Sequence, residues 1–158
     1  MTEVEVAFQT LKNGLTDRRR EVKLSKILAS IAGGYLLFCF IAPATLPADT
    51  IPELSGRANA IDYANHDSWG NRDQGEGSAL GHDQSLHGGT FAWTELTPAW
   101  AMVYAIGDLN CHQKHQRSWE INGNQMPVCA RDVGIMLGFT VGCALFGFRG
   151  LNRWTVRD

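Results

Sequence analysis

Residues 27–44, from Ile27 to Ala44, read ILASIAGGYLLFCFIAPA and contain no charged side chain. As an α-helix these 18 residues cover about 27 Å at ~1.5 Å per residue, close to the hydrocarbon thickness of a bilayer. A soluble helix of that length would normally carry a polar stripe, and none is present in this run. Arg18, Arg19, Arg20, Lys23 and Lys26 precede it, so the positive-inside rule puts the N-terminal segment in the cytoplasm. The alternative is a cleaved signal peptide, because Ala42-Pro43-Ala44 has a small-x-small form. Against it, the apolar run exceeds the usual ~7–15 residues and Pro43 sits within the site itself. The expectation is a retained anchor.

Outward from this run, charge is segregated. Residues 1–26 hold six basic and four acidic groups, residues 45–98 two basic and eight acidic, and residues 99–158 six basic and four acidic. The whole 158-residue chain carries a formal charge of −2, which excludes a general nucleic-acid binder with a concentrated basic surface. Four scattered cysteines are too few for a disulfide-dense mini-protein.

The segment 45–96 is rich in Gly, Asp, Asn, Gln and Ser and has no 2.0 or 3.6 periodicity. It reads as a flexible acidic extracytoplasmic loop that buries no core. His66-Asp67, His82-Asp83 and His87 lie in this Gly-rich coil at spacings that give no preorganised metal geometry. Thr97 to Leu109 follows, with Thr97 as N-cap and Pro98 at the first helical position. Trp93 precedes it and Trp100 and Tyr104 lie within it, so an interfacial or re-entrant helix is expected, with a third full span as the alternative.

A second uncharged run, Val133 to Phe148, reads VGIMLGFTVGCALFGF and is followed by Arg149, Arg153 and Arg157. It is the second expected span and returns the chain to the cytoplasm. Gly134, Gly138 and Gly142 recur every four residues, forming a strip where another helix can approach. Ala29/Gly33 and Ser30/Gly34 offer a matching surface on the first run. Cys39 and Cys143 read as inert thiols within these runs.

Between the interfacial helix and the last span lie Cys111-His112-Gln113, Arg117-Ser118-Trp119, Gly123, Gln125, Pro127-Val128-Cys129-Ala130-Arg131 and Gly134-Ile135. In these motifs the chain resembles the prokaryotic membrane proteins called domain of unknown function 2085. The signature of that family is C-H-Q, R-S-aromatic, G-x-Q-x-P-V-C-A-R-C, then G-I opening a membrane helix. The resemblance covers roughly residues 98–148. It departs at Asp132, where the family has a second cysteine, and in the further helices expected after the signature. The resemblance implies a membrane location and a Cys/His constellation, not a reaction.

Read from the residues alone, Cys111, His112, Cys129 and Asp132 are competent ligands for a tetrahedral soft-metal site. An extracytoplasmic Cys111–Cys129 disulfide is the other reading, worth about 3 kcal/mol in loop-closure entropy. The disulfide is the first expectation and zinc the alternative. No catalytic residue is assigned, since Cys111 and His112 are adjacent and no third orienting group is evident. Arg117 and Arg131 can contact lipid phosphates, or pair with Glu120 and Asp132.

The expected architecture is an all-α integral protein of the cell membrane with two transmembrane helices and both termini cytoplasmic. Its segments are 1–26 basic and cytoplasmic, 27–44 spanning, 45–96 acidic loop, 97–132 interfacial helix and Cys/His loop, 133–148 spanning, and 149–158 basic tail. Two helices bury little, so a homo-oligomer or a partner membrane subunit is implied beside membrane lipid, and no nucleic acid. The function expected is structural or interaction-based, without a required cofactor. The alternative is a metal- or redox-dependent membrane enzyme or transporter component using Cys111, His112 and Cys129.

Overall fold

The computed structural model describes residues 2–5, 19–54, 60–72 and 90–148, and among these described residues three long helices carry the structure. They are α1 (Arg19–Thr45), α2 (Pro98–Asn110) and α3 (Ala130–Gly147). Both apolar runs are helical, and both helices are long and apolar enough to cross a membrane. At ~1.5 Å per residue the 27 residues of α1 span about 40 Å and the 18 of α3 about 27 Å. Their surfaces favour lipid over a soluble setting: Ile27, Ile31, Leu37, Phe38, Ile135, Leu137, Phe139 and Leu145 are all exposed. The 13 residues of α2 are too few to span.

The chain divides into two compact units, residues 1–33 with 138–158 and residues 34–137. In the first, the Ser25 hydroxyl donates to the Cys143 carbonyl. The Gly33 Cα lies against Thr140, where an added Cβ would stand 2.9 Å from Thr140 Cγ2. Gly147 packs on the Lys26 stem. Thr140, Cys143 and Gly147 are spaced by three and four, so they form one face of α3.

The expected packing role of Gly134, Gly138 and Gly142 is corrected here for contacts among the described residues. Among the described residues, a Cβ built on any of the three meets nothing within 4 Å. At ~100° per residue the strip lies on roughly the opposite side of α3 from Thr140, Cys143 and Gly147. Within this unit Gly33 is the glycine of closest approach, and its partner is a threonine.

The second unit holds the core. The second half of α1 contributes Leu36, Cys39 and Ala42, and α2 contributes Val103 and Tyr104. Leu46, Ile51, Leu54, Tyr63, Phe91, Cys111, Met126, Val128, Cys129 and Val133 complete it. Phe91 meets Tyr104 edge-on, with ring centroids 5.5 Å apart. The expectation that residues 45–96 bury nothing is therefore corrected for its described parts. Tyr63 and Leu54 are fully buried, so sparse apolar residues without periodicity still fill a core when the backbone around them is irregular. Residues 55–59 and 73–89 lie outside the described residues, and His82, Asp83 and His87 with them.

An all-α description also needs correction. Glu120–Ile121 (β1) and Asn124–Gln125 (β2) pair antiparallel, Glu120 opposite Gln125 and Ile121 opposite Asn124. Asn122 (φ 55°) and Gly123 (φ 71°) form the two-residue turn between them. Two consecutive positive φ values are what a type I′ hairpin requires, and Asn-Gly supplies them with least strain. The remaining pieces are 3-10 turns at Trp69–Asn71, Trp93–Glu95 and His115–Arg117.

Candidate functional site

The motif-bearing loop begins where α2 ends. Thr97 precedes α2, and Pro98 sits in its first turn, where a missing N–H costs nothing. Cys111 closes the helix, its N–H bonded to the Gly107 carbonyl at 2.8 Å, and is extended beyond it. His112 follows and is exposed, while Gln113 turns inward with φ 47°.

Gln113 and Gln125, from two separate motifs, interlock. Gln113 Nε2 donates to the Pro127 carbonyl at 2.9 Å, and Gln125 Nε2 donates to the Gln113 carbonyl at 2.8 Å. Gln125 Oε1 accepts the Leu54 N–H at 2.7 Å, and the Gln125 carbonyl accepts the Tyr104 hydroxyl at 2.8 Å. Asn124 works the same way on the segment after α1. Its Oδ1 accepts the Ile51 N–H at 2.8 Å, and its Nδ2 donates to the Pro43 and Pro47 carbonyls at 3.0 and 2.9 Å. Pro43 lies in the last turn of α1, whose carbonyls have no partner in the helix, so Asn124 caps the helix from a distance.

A second polar centre lies at Asp108 on α2. Its buried carboxylate accepts the Tyr63 N–H at 2.9 Å and Trp93 Nε1–H at 3.0 Å on Oδ2. The Asp62 N–H reaches both oxygens, at 3.2 and 3.1 Å. His66 bridges Thr90 Oγ1 and Glu95 Oε1, each at 2.8 Å, and so serves the loop rather than a metal.

The sulfurs come together at the start of α3. Cys111 Sγ accepts the Gln113 N–H at 3.4 Å and the Cys129 N–H at 3.2 Å. Cys129 Sγ donates to Asp132 Oδ2 at 3.2 Å. The ligand atoms of Cys111, Cys129 and Asp132 lie within 4.8 Å of one another. Burial, and then the Asp132 carboxylate, push the Cys111 thiol up to about 12, with the Gln113 and Cys129 N–H groups pulling the other way.

Three sequence expectations meet this geometry directly. The structure has Cys111 and Cys129 as free thiols rather than the expected disulfide, Cys129 turned to Asp132 and Cys111 engaged by two backbone N–H groups. Of the four candidate metal ligands, the structure gathers Cys111, Cys129 and Asp132, and leaves exposed His112 out of that group. Arg131 lies beside Asp132, Nε to Oδ1 3.6 Å, and Arg117 is exposed on its 3-10 turn. Arg149, Arg153 and Arg157 fall outside the described residues.

Gly107, Asp108 and Asn124 were not legible as site residues. Asp108 gave one signal, a single carboxylate at the end of an apolar stretch. Asn122-Gly123 gave another, the hairpin dipeptide, but without alternating apolar flanks.

Beyond this chain, an uncharacterized protein of Methanocaldococcus jannaschii is 48% identical over 46 residues, 29% of this chain and 30% of that relative. The matched region thus spans less than a third of the relative's length. No solved structure matches the chain. Residues 111–157, which begin at the very cysteine that opens the interlocked network, match the family described as predicted membrane protein (DUF2085).

Proposed function

We propose that this membrane protein is a structural or interaction subunit, a pair of spanning helices carrying a preformed extracytoplasmic cap. One observation carries the reading: the motif residues are spent on one another. Gln113, Gln125, Asn124 and Cys111 are buried, and each holds backbone from another part of the cap. A network of this kind fixes shape and withdraws its polar atoms from solvent chemistry.

Tilted ring pairs support a seat at the membrane surface. Phe38 of α1 lies 6.3 Å from Trp100 of α2, and Phe40 lies 6.2 Å from Trp119. Tryptophan is favoured at that depth because its ring is amphipathic. The open glycine strip on α3 favours association with a second copy or with a partner membrane subunit.

Extraction into lipid nanodiscs without added cross-linker tests the reading by particle mass. A homo-oligomer, or a complex with another integral membrane protein, is expected. A 17.4 kDa monomer that turns over a small molecule through Cys111 would overturn it.

A further inference from the structure

The cluster at the start of α3 has more in it than the cap requires. Cys111 and Cys129 are 18 residues apart and reach one place only through the fold, where Asp132 joins them from the first turn of α3. A polar crosslink needs two such groups; three ligand-type atoms within 4.8 Å are a donor set. We propose that Cys111, Cys129 and Asp132 bind a divalent cation of the zinc class, independently of the subunit reading above.

The donor types suit that ion. Two sulfurs and one carboxylate oxygen match a borderline-soft tetrahedral cation and are a poor set for magnesium or calcium. With Zn–S near ~2.3 Å, tetrahedral ligands stand roughly 3.8 Å apart. Closing the group from 4.8 Å is a side-chain adjustment. The two N–H groups already aimed at Cys111 Sγ, from Gln113 and Cys129, stabilise charge on that sulfur.

Charge also balances. On binding, Cys111 and Cys129 each release a proton to water as their S–metal bonds form. Asp132 exchanges the Cys129 S–H hydrogen bond for the cation. Two thiolates, one carboxylate and a dication leave a single negative charge. The Arg131 guanidinium, 3.6 Å from Asp132, and the N-terminal end of α3 both offset it. His112 is exposed and supplies no ligand, so the fourth position is open to water, as in sites that exchange a ligand.

The test uses the full chain in detergent under reducing conditions, equilibrated with zinc alone and then freed of excess by gel filtration. Wild type and His112→Ala are expected to retain about one zinc per chain. Asp132→Asn, which keeps the hydrogen-bond acceptor but loses the charge, is expected to bind at least about tenfold more weakly. Cys129→Ser is expected to retain none. Cobalt in place of zinc should give the sulfur-to-metal charge-transfer band in wild type, weakened in Asp132→Asn. Asp132→Asn also guards against misfolding of the cysteine variant, since its side chain is the same size. Free thiols without retained zinc in wild type would overturn the proposal. So would wild-type affinity in Asp132→Asn, or a Cys111–Cys129 cross-linked peptide in protein isolated without reductant.

Discussion

Gly107 of α2 lies directly on the backbone carbonyl of Pro127, leaving no room for even a methyl group between them. A Cβ at Gly107 would overlap the Pro127 oxygen and carbonyl carbon, and backbone cannot rotate away as a side chain can. The contact seats the chain just before Cys129 on the helix just before Cys111.

Gly107→Ala is therefore expected to destabilise the cap by about 1–3 kcal/mol despite alanine's higher helix propensity. Gly134→Ala, on the open face of α3, should be neutral or slightly stabilising. Thermal unfolding in the same detergent separates the two, and equal effects would show that Gly107 is not a close-packing position.

Asp108→Ala should be among the most damaging single changes in the cap. It leaves the N–H groups of Asp62 and Tyr63 and the Trp93 indole N–H facing a void, at about 1–3 kcal/mol for each buried group left unpaired. A shift of tryptophan emission is the accompanying readout, because Trp93 loses its acceptor.

Gly33→Leu and Gly138→Leu should separate folding from association. The first drives a side chain into Thr140 and is expected to lower the stability of the isolated chain. The second meets open space, so the monomer's melting temperature should hold while particle mass in nanodiscs falls. An unchanged particle mass would mean that the strip faces lipid.

The cap is expected outside the cell. Cysteines introduced at the exposed positions Ala48 and Gln116 should both react with an impermeant thiol reagent on intact cells. The native Cys111 and Cys129, being buried, should label far more slowly. Labelling at neither site until lysis would invert the topology.

Alkaline pH should weaken the metal-free cap through Cys111. Its thiol rises from an ordinary value of 9.0 to about 12 in the folded state, so folding favours the protonated form. That contribution is fully present below about pH 9 and is lost as pH climbs toward 12. Cys111→Ala should flatten the fall in stability over this window. A parallel fall in wild type and variant would assign the alkaline loss to other groups.

The two candidate spanning helices were legible because suitability for the bilayer is a one-dimensional property: length and absence of charge in Ile27–Ala44 and Val133–Phe148 suffice. Thr97 and Pro98 likewise marked the start of α2 through local chemistry alone. The motifs around Cys111 and Cys129 marked where the site is, and the sequence named all three gathered side chains, Cys111, Cys129 and Asp132, together with His112, which stays outside the group.

What only the tertiary structure decided is which atoms meet. Tyr63, Leu54 and Phe91 sit in polar sequence, and their burial depends on Asn124, Gln125 and Asp108 pairing with backbone far away in the chain. His112 is adjacent to Cys111 yet points to solvent, while Asp132, 21 positions on, joins the sulfurs. The glycine strip shows the same division, since a period of four puts three residues on one face without saying what that face meets. A sequence fixes periodicity and composition locally, whereas partners across long separations follow from closure of the whole chain, where no single residue carries the signal.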